Sequence, residues 1–221
     1  FPNGGGGYIV ATHTIGPAAG VVSGCALLVD YVLTITISVA SGADALFSFL
    51  STAWLPYKLP FAVLGVLILT LMNMRGVKES VLPLVPIFLT FVITHALIIA
   101  YAIFSNLGNF GEVAAATRAD VMQTQAELGF AGMALLILRA YSMGAGTYTG
   151  IEAVSNGLPI LREPKVQTGK RTMRYMAISL AVVVMGLIIA YLLYGAKPHE
   201  GKTLNAVLFE TMTQGWGRAG V

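Results

Sequence analysis

Asp30, Thr34, Ser38 and Ser41 stand 4, 4 and 3 residues apart inside a run of Leu, Val, Ile and Ala. On a helix of 3.6 residues per turn they fall on one narrow face, with Tyr31 flanking it and Asp44 at its edge. A carboxylate on a helix in hydrocarbon costs ~2.5–3.5 kcal/mol or more, so Asp30 has to face a polar interior or a partner. A hydroxyl in such a helix can instead bond its own helix's carbonyls. That plain role suits Thr36, and an interfacial position suits Asp44. The aligned Asp30–Thr34–Ser38 stripe is expected to line a water-filled pathway or an ion site.

A second polar group follows the apolar segment "FAGMALLIL", where residues 144–159 read "GAGTYTGIEAVSNGLP". Glycine weakens a helix interior by ~1 kcal/mol relative to alanine, and Gly144, Gly146, Gly150 and Gly157 recur here. Thr147, Tyr148 and Thr149 add hydroxyls, then come Glu152, Ser155 and Asn156. Close helix packing through small residues accounts for the glycines but leaves Glu152 unexplained. A membrane helix broken at this point accounts for both, since irregular backbone at membrane depth survives where it lines a cavity. Carboxylate and hydroxyl oxygens suit a hard cation. Arg139 is the base near these acids, and pairing with Glu127, Asp44 or Glu152, or reaching the outer interface, are all open to it.

These residues sit in a chain built for lipid. It has 221 residues, 56% of them hydrophobic and 10% charged. Mean hydropathy is +0.78. Soluble domains carry about 25% charged residues, so an integral membrane protein is expected. The net charge of +3 is spread without a dense basic run, which argues against nucleic acid as a partner. The single cysteine, Cys25, excludes an intrachain disulfide framework and reads as a small hydrophobe. Four glycines at Gly4–Gly7 lack the Gly-Lys-Ser/Thr of a phosphate loop, and "GAGTYTG" lacks the third glycine of a dinucleotide motif. His13, His95 and His199 are scattered, so no shared metal site is expected. His95 lies in an apolar span, where a proton relay and a packed, hydrogen-bonded ring are both open. No activated nucleophile is evident, so an enzyme is not expected.

A crossing needs ~20 predominantly apolar residues. Five stretches qualify, at about 17–50, 54–74, 81–104, 128–161 and 173–194. The first is long enough to require tilt or protrusion. Trp54 and Tyr57 are placed at the headgroup level. The loops "NMRGVKES" and "REPKVQTGKRTMR" carry Arg75, Lys78, Arg162, Lys165, Lys170, Arg171 and Arg174. The positive-inside rule makes them cytoplasmic, together with the N-terminal segment. The tail is then outside, and its "TLNAVLFETM" reads as a surface helix. With no methionine at Phe1 and no signal-peptide pattern, the chain is expected to be the middle of a longer polytopic protein.

The segments "PNGGGGYIVA…IGPAAGVVSGCALLVDYVLT", "NMRGVKES" and "YTGIEAVSNGLPILREPK" resemble the amino acid–polyamine–cation (APC) transporter superfamily, of amino acid permease type. Within it they most resemble the KUP-type, KimA-like potassium importers. The resemblance covers nearly the whole chain, and "LLVDYVLT" and "YTGIEAVSNG" are its most specific parts. It implies an all-α LeuT-like fold of two inverted five-helix repeats, in which this chain runs from the end of helix 2 through helix 7. It implies that Asp30, Tyr31, Thr34 and Ser38 match the helix 3 ligand set, and Thr149 and Glu152 the helix 6 set. The transported species would be potassium and protons, with no cofactor, in a multi-pass plasma-membrane protein. A homodimer is also expected. The alternative is an amino acid or polyamine permease of the same fold.

Overall fold

The computed structural model describes residues 4–76, 80–144 and 149–214. It is helical almost throughout. The helices are α1 (Gly6–Thr14), α2 (Pro17–Phe47), α3 (Lys58–Arg75), α4 (Leu84–Ser105), α5 (Phe110–Gly144), α6 (Thr149–Asn156), α7 (Lys165–Tyr194) and α8 (Leu204–Thr213). Short 3₁₀ turns at Thr52–Tyr57, Leu107–Asn109 and Leu158–Ile160 connect them. Among the described residues the β pairing is one isolated bridge between His199 and Lys202.

Among the described residues, five segments are long and apolar enough to cross a bilayer: Pro17–Phe47, Thr52–Arg75, Leu84–Ser105, Leu107–Gly144 and Lys165–Tyr194. Their side walls are apolar and uncovered. Leu28, Val32, Ile37, Leu59 and Leu71 are each more than half exposed. Water would not tolerate so much contiguous apolar surface. Hydrocarbon does, and the intrahelical ladder satisfies the backbone there. The chain is therefore an all-α, polytopic membrane protein.

Three boundaries differ from the expectation. α2 has 31 residues, ~47 Å at 1.5 Å each, against a ~30 Å hydrocarbon core. The long first span is therefore real, and it ends at Phe47. α5 begins at Phe110, far ahead of the expected start near residue 128. Its polar first half carries Glu112, Arg118, Asp120 and Glu127, so hydropathy does not reveal it. The apolar part begins where Gly129 breaks the helix with φ 67° and ψ 175°, a conformation only glycine adopts readily. α7 begins at Lys165, eight residues before its apolar run. Lys165, Lys170, Arg171 and Arg174, expected in a loop, lie on its first turns, where Lys, Gln, Arg and Met are good helix formers; Arg162 precedes it. Glu163 caps that start: its carboxylate accepts from Lys165 N–H at 3.2 Å, as suits a helix N-terminus.

The chain divides into two compact units, one of Phe1–Thr36 and Ala116–Val182, the other of Ile37–Ala115 and Val183–Val221. The second unit holds the clearest core. Ala102 of α4, Ala190 of α7, and Leu208 and Met212 of α8 are buried together, with Tyr191, Tyr194 and Phe209 packed around them. Small residues let α4 and α7 approach closely. The tail helix is thus docked on α4 and α7. Ser48, buried after the end of α2, accepts from Thr203 N–H at 2.9 Å and donates to Asp44 O at 2.6 Å. The Thr203 hydroxyl in turn caps α8 by accepting from Ala206 N–H at 3.3 Å. His95 follows the packed reading: its Nδ1 lies 2.9 Å from Phe91 O and its ring stacks on Phe91 at 3.9 Å.

Candidate functional site

Most of the candidate residues lie in the first unit. Along the first half of α2, Ser23, Gly24, Leu27, Asp30, Tyr31 and Thr34 are partly covered. Residues 25, 26, 28, 29, 32, 33, 35 and 36 are exposed. The covered positions recur every three to four residues, so one stripe of α2 faces protein. Asp30, Tyr31 and Thr34 all fall on it. Thr36 does not, and its hydroxyl donates to Val32 O at 2.8 Å, the plain role expected for it. Ser38 is exposed and belongs to the other unit. Asp44 pairs with Lys58 at 2.6 Å, both about half exposed, and so stands apart from the stripe.

α6 supplies the second group. Thr149 is its first residue and Glu152 lies in its first turn. The break expected in the fourth span falls on residues 145–148, outside the described residues. From Gly129, α5 has room for only ~22 Å of helix before Gly144, less than a ~30 Å core.

One bond links α2 and α6 directly. Asn156 Nδ2 donates to the Tyr31 hydroxyl oxygen at 2.6 Å. Asn156 Oδ1 is buried and accepts no hydrogen bond. Close beside it runs the glycine segment. A β-carbon on Gly6 would stand 2.2 Å from Asn156 Oδ1 and 3.3 Å from Glu152 Oε1. One on Gly4 would stand 2.9 Å from Ser155 O. Gly4 and Gly6 have φ of 75° and 56°, so both conformation and space require glycine. The role of "GGGG" is thus to let the start of α1 lie against α6.

Among the described residues the ion pairs are Lys58–Asp44, Lys165–Glu163 and Lys202–Glu210, and none of them includes Asp30, Glu152 or Arg139. Two acids without a cation partner, beside hydroxyl and amide oxygens, offer a site for positive charge. Among the described residues no three His, Cys, Asp or Glu side chains group as a metal site. Sequence reasoning singled out Tyr31 and Glu152 but gave Asn156 no role. Its only signal was its place one helical turn after Glu152.

Partly covered acids and hydroxyls on the helices of a polytopic membrane protein mark a candidate functional site. The comparisons give the class. The chain matches the amino acid permease family over residues 1–221, and it belongs to that family. It is also 35% identical over 208 residues to the potassium transporter KimA of Bacillus subtilis (strain 168), a match covering 92% of this chain and 33% of that protein. The chain thus spans about a third of that relative's length.

Proposed function

We propose that the chain forms part of a secondary active potassium importer of the plasma membrane, coupled to protons. The observation that carries this reading is the Asn156–Tyr31 bond at 2.6 Å, which joins the stripe bearing Asp30 to the helix bearing Glu152. Asp30, Tyr31 and Thr34 of α2, with Thr149 and Glu152 of α6, are the proposed ion ligands and proton carriers. Their oxygens would replace the hydration shell of a hard cation. Protonation of an acid would weaken the hold on the ion and bias which side the cavity opens to. The relative named a potassium transporter supports the choice of ion.

The second reading is an amino acid or polyamine permease, favoured by the family's description. A zwitterion brings a carboxylate that Asp30 and Glu152 would repel, while a polyamine suits them. Uptake by the full-length protein in potassium-auxotrophic cells separates the two. We expect rubidium uptake that is saturable, competed by potassium and accelerated by an inward proton gradient. Uptake of amino acids or polyamines without rubidium flux would leave the permease reading in its place.

A further inference from the structure

We infer that Asn156 is itself a ligand of the transported cation, its amide oxygen and the Glu152 carboxylate forming an oxygen pair over Gly6 that Tyr31 holds in place. This rests on the potassium reading above.

An amide has two donors on nitrogen and one acceptor oxygen. In Asn156 the nitrogen is engaged, donating to the Tyr31 hydroxyl at 2.6 Å. That bond turns the oxygen the other way, where it is buried and accepts nothing. Nearly all buried acceptors have a partner, and leaving one without is costly. A fold that fixes one half of an amide and leaves the other half bare has placed an acceptor for something that comes and goes.

The neighbours say what that is. The β-carbon position of Gly6 lies 2.2 Å from Asn156 Oδ1 and 3.3 Å from Glu152 Oε1, two distances that sum to 5.5 Å, so the oxygens are no farther apart than that. One dehydrated monovalent cation bridges such a gap with an oxygen on either side. The β-carbon position of Gly7 lies 3.6 Å from the same Glu152 oxygen and 3.9 Å from Ser23 Oγ, which brings a hydroxyl into the neighbourhood. A neutral carbonyl dipole beside a single carboxylate supplies attraction without a second like charge, and filters for weakly hydrated cations use that field. No basic side chain is recorded pairing with Glu152 to take the ion's place.

The test is the half-saturating rubidium concentration, and the preference among rubidium, caesium and sodium, in the full-length protein. Asn156→Leu keeps the volume and removes the oxygen. We expect the half-saturating concentration to rise about tenfold or more. Asn156→Asp keeps an oxygen and the contact with Tyr31, and covers the case in which the leucine variant does not accumulate. A carboxylate's stronger field should shift preference toward the smaller ion. A residue that only clamps α6 to α2 would alter abundance and thermal stability but leave affinity and ion preference unchanged in Asn156→Asp, and that result overturns the assignment. If the unaltered protein moves no rubidium, the potassium reading falls and takes this one with it. If it moves rubidium while Asn156→Asp keeps the parent's affinity and preference, the assignment to Asn156 alone falls.

Discussion

Tyr31 and Asn156 lie 125 positions apart in the chain and 2.6 Å apart in space. Both are partly covered, on helices whose other faces look toward lipid. A polar contact in that setting is hard to exchange for water, so it defines where α6 meets the stripe of α2. Asp30 and Thr34 share the stripe with Tyr31, and Glu152 stands one turn before Asn156 on α6.

Two threonines two positions apart should behave oppositely. Thr34 is on the covered stripe of α2, whereas Thr36 is exposed and donates to Val32 O at 2.8 Å. Valine keeps the shape of threonine and deletes the hydroxyl. Thr34→Val is expected to lower the initial rate of rubidium uptake about tenfold. Thr36→Val should change it by less than about twofold, because the lost bond was to its own helix. Equal effects in the two variants at matched membrane abundance would refute the division of α2 into a working and a lipid face.

Ser48 is the structural counterpart in the other unit. It is 4% exposed and joins Thr203 N–H to Asp44 O. Ser48→Ala leaves a buried N–H without its acceptor, at about 1–3 kcal/mol. The expected outcome is a lower melting temperature for the purified protein and faster proteolysis around 197–203, with rubidium affinity unchanged. An unaltered melting temperature would show that the Ser48–Thr203 contact contributes nothing to holding α8.

Asp44 tests how far along α2 the functional stripe reaches. Its pair with Lys58 is 2.6 Å long but about half exposed on both sides, and exposed pairs contribute only ~0–1 kcal/mol. Asp44→Asn should retain uptake within about twofold and stability within about 1 kcal/mol. Loss of transport in this variant would extend the ion pathway to the end of α2.

The membrane helices were legible because hydropathy and helix length are local properties. Apolar runs place α2, α3, α4 and the apolar half of α5. The same signal is blind to helices that leave the bilayer, which is why the polar start of α5 at Phe110 and the basic start of α7 at Lys165 read as loops. The 4, 4, 3 spacing from Asp30 to Ser41 put Asp30 and Thr34 on one face, and both lie on the partly covered stripe of α2. Spacing could not say where that face stops being covered, and Ser38 is exposed. The purpose of Gly4–Gly7 and the bare oxygen of Asn156 depend on contacts between segments about 150 residues apart, which no local pattern encodes. The docking of α8 through Leu208 is of the same kind.

The most direct test of the central claim is the initial rate of rubidium uptake in Asp30→Asn and Glu152→Gln, with Asp44→Asn as the control acid, at matched abundance in the membrane. Both isosteric changes remove a charge without changing shape. The account predicts that uptake collapses in each of the two while the Asp44 variant transports normally. Wild-type rates in either Asp30→Asn or Glu152→Gln would contradict it, since an acid that can be neutralised without effect is not holding the transported ion.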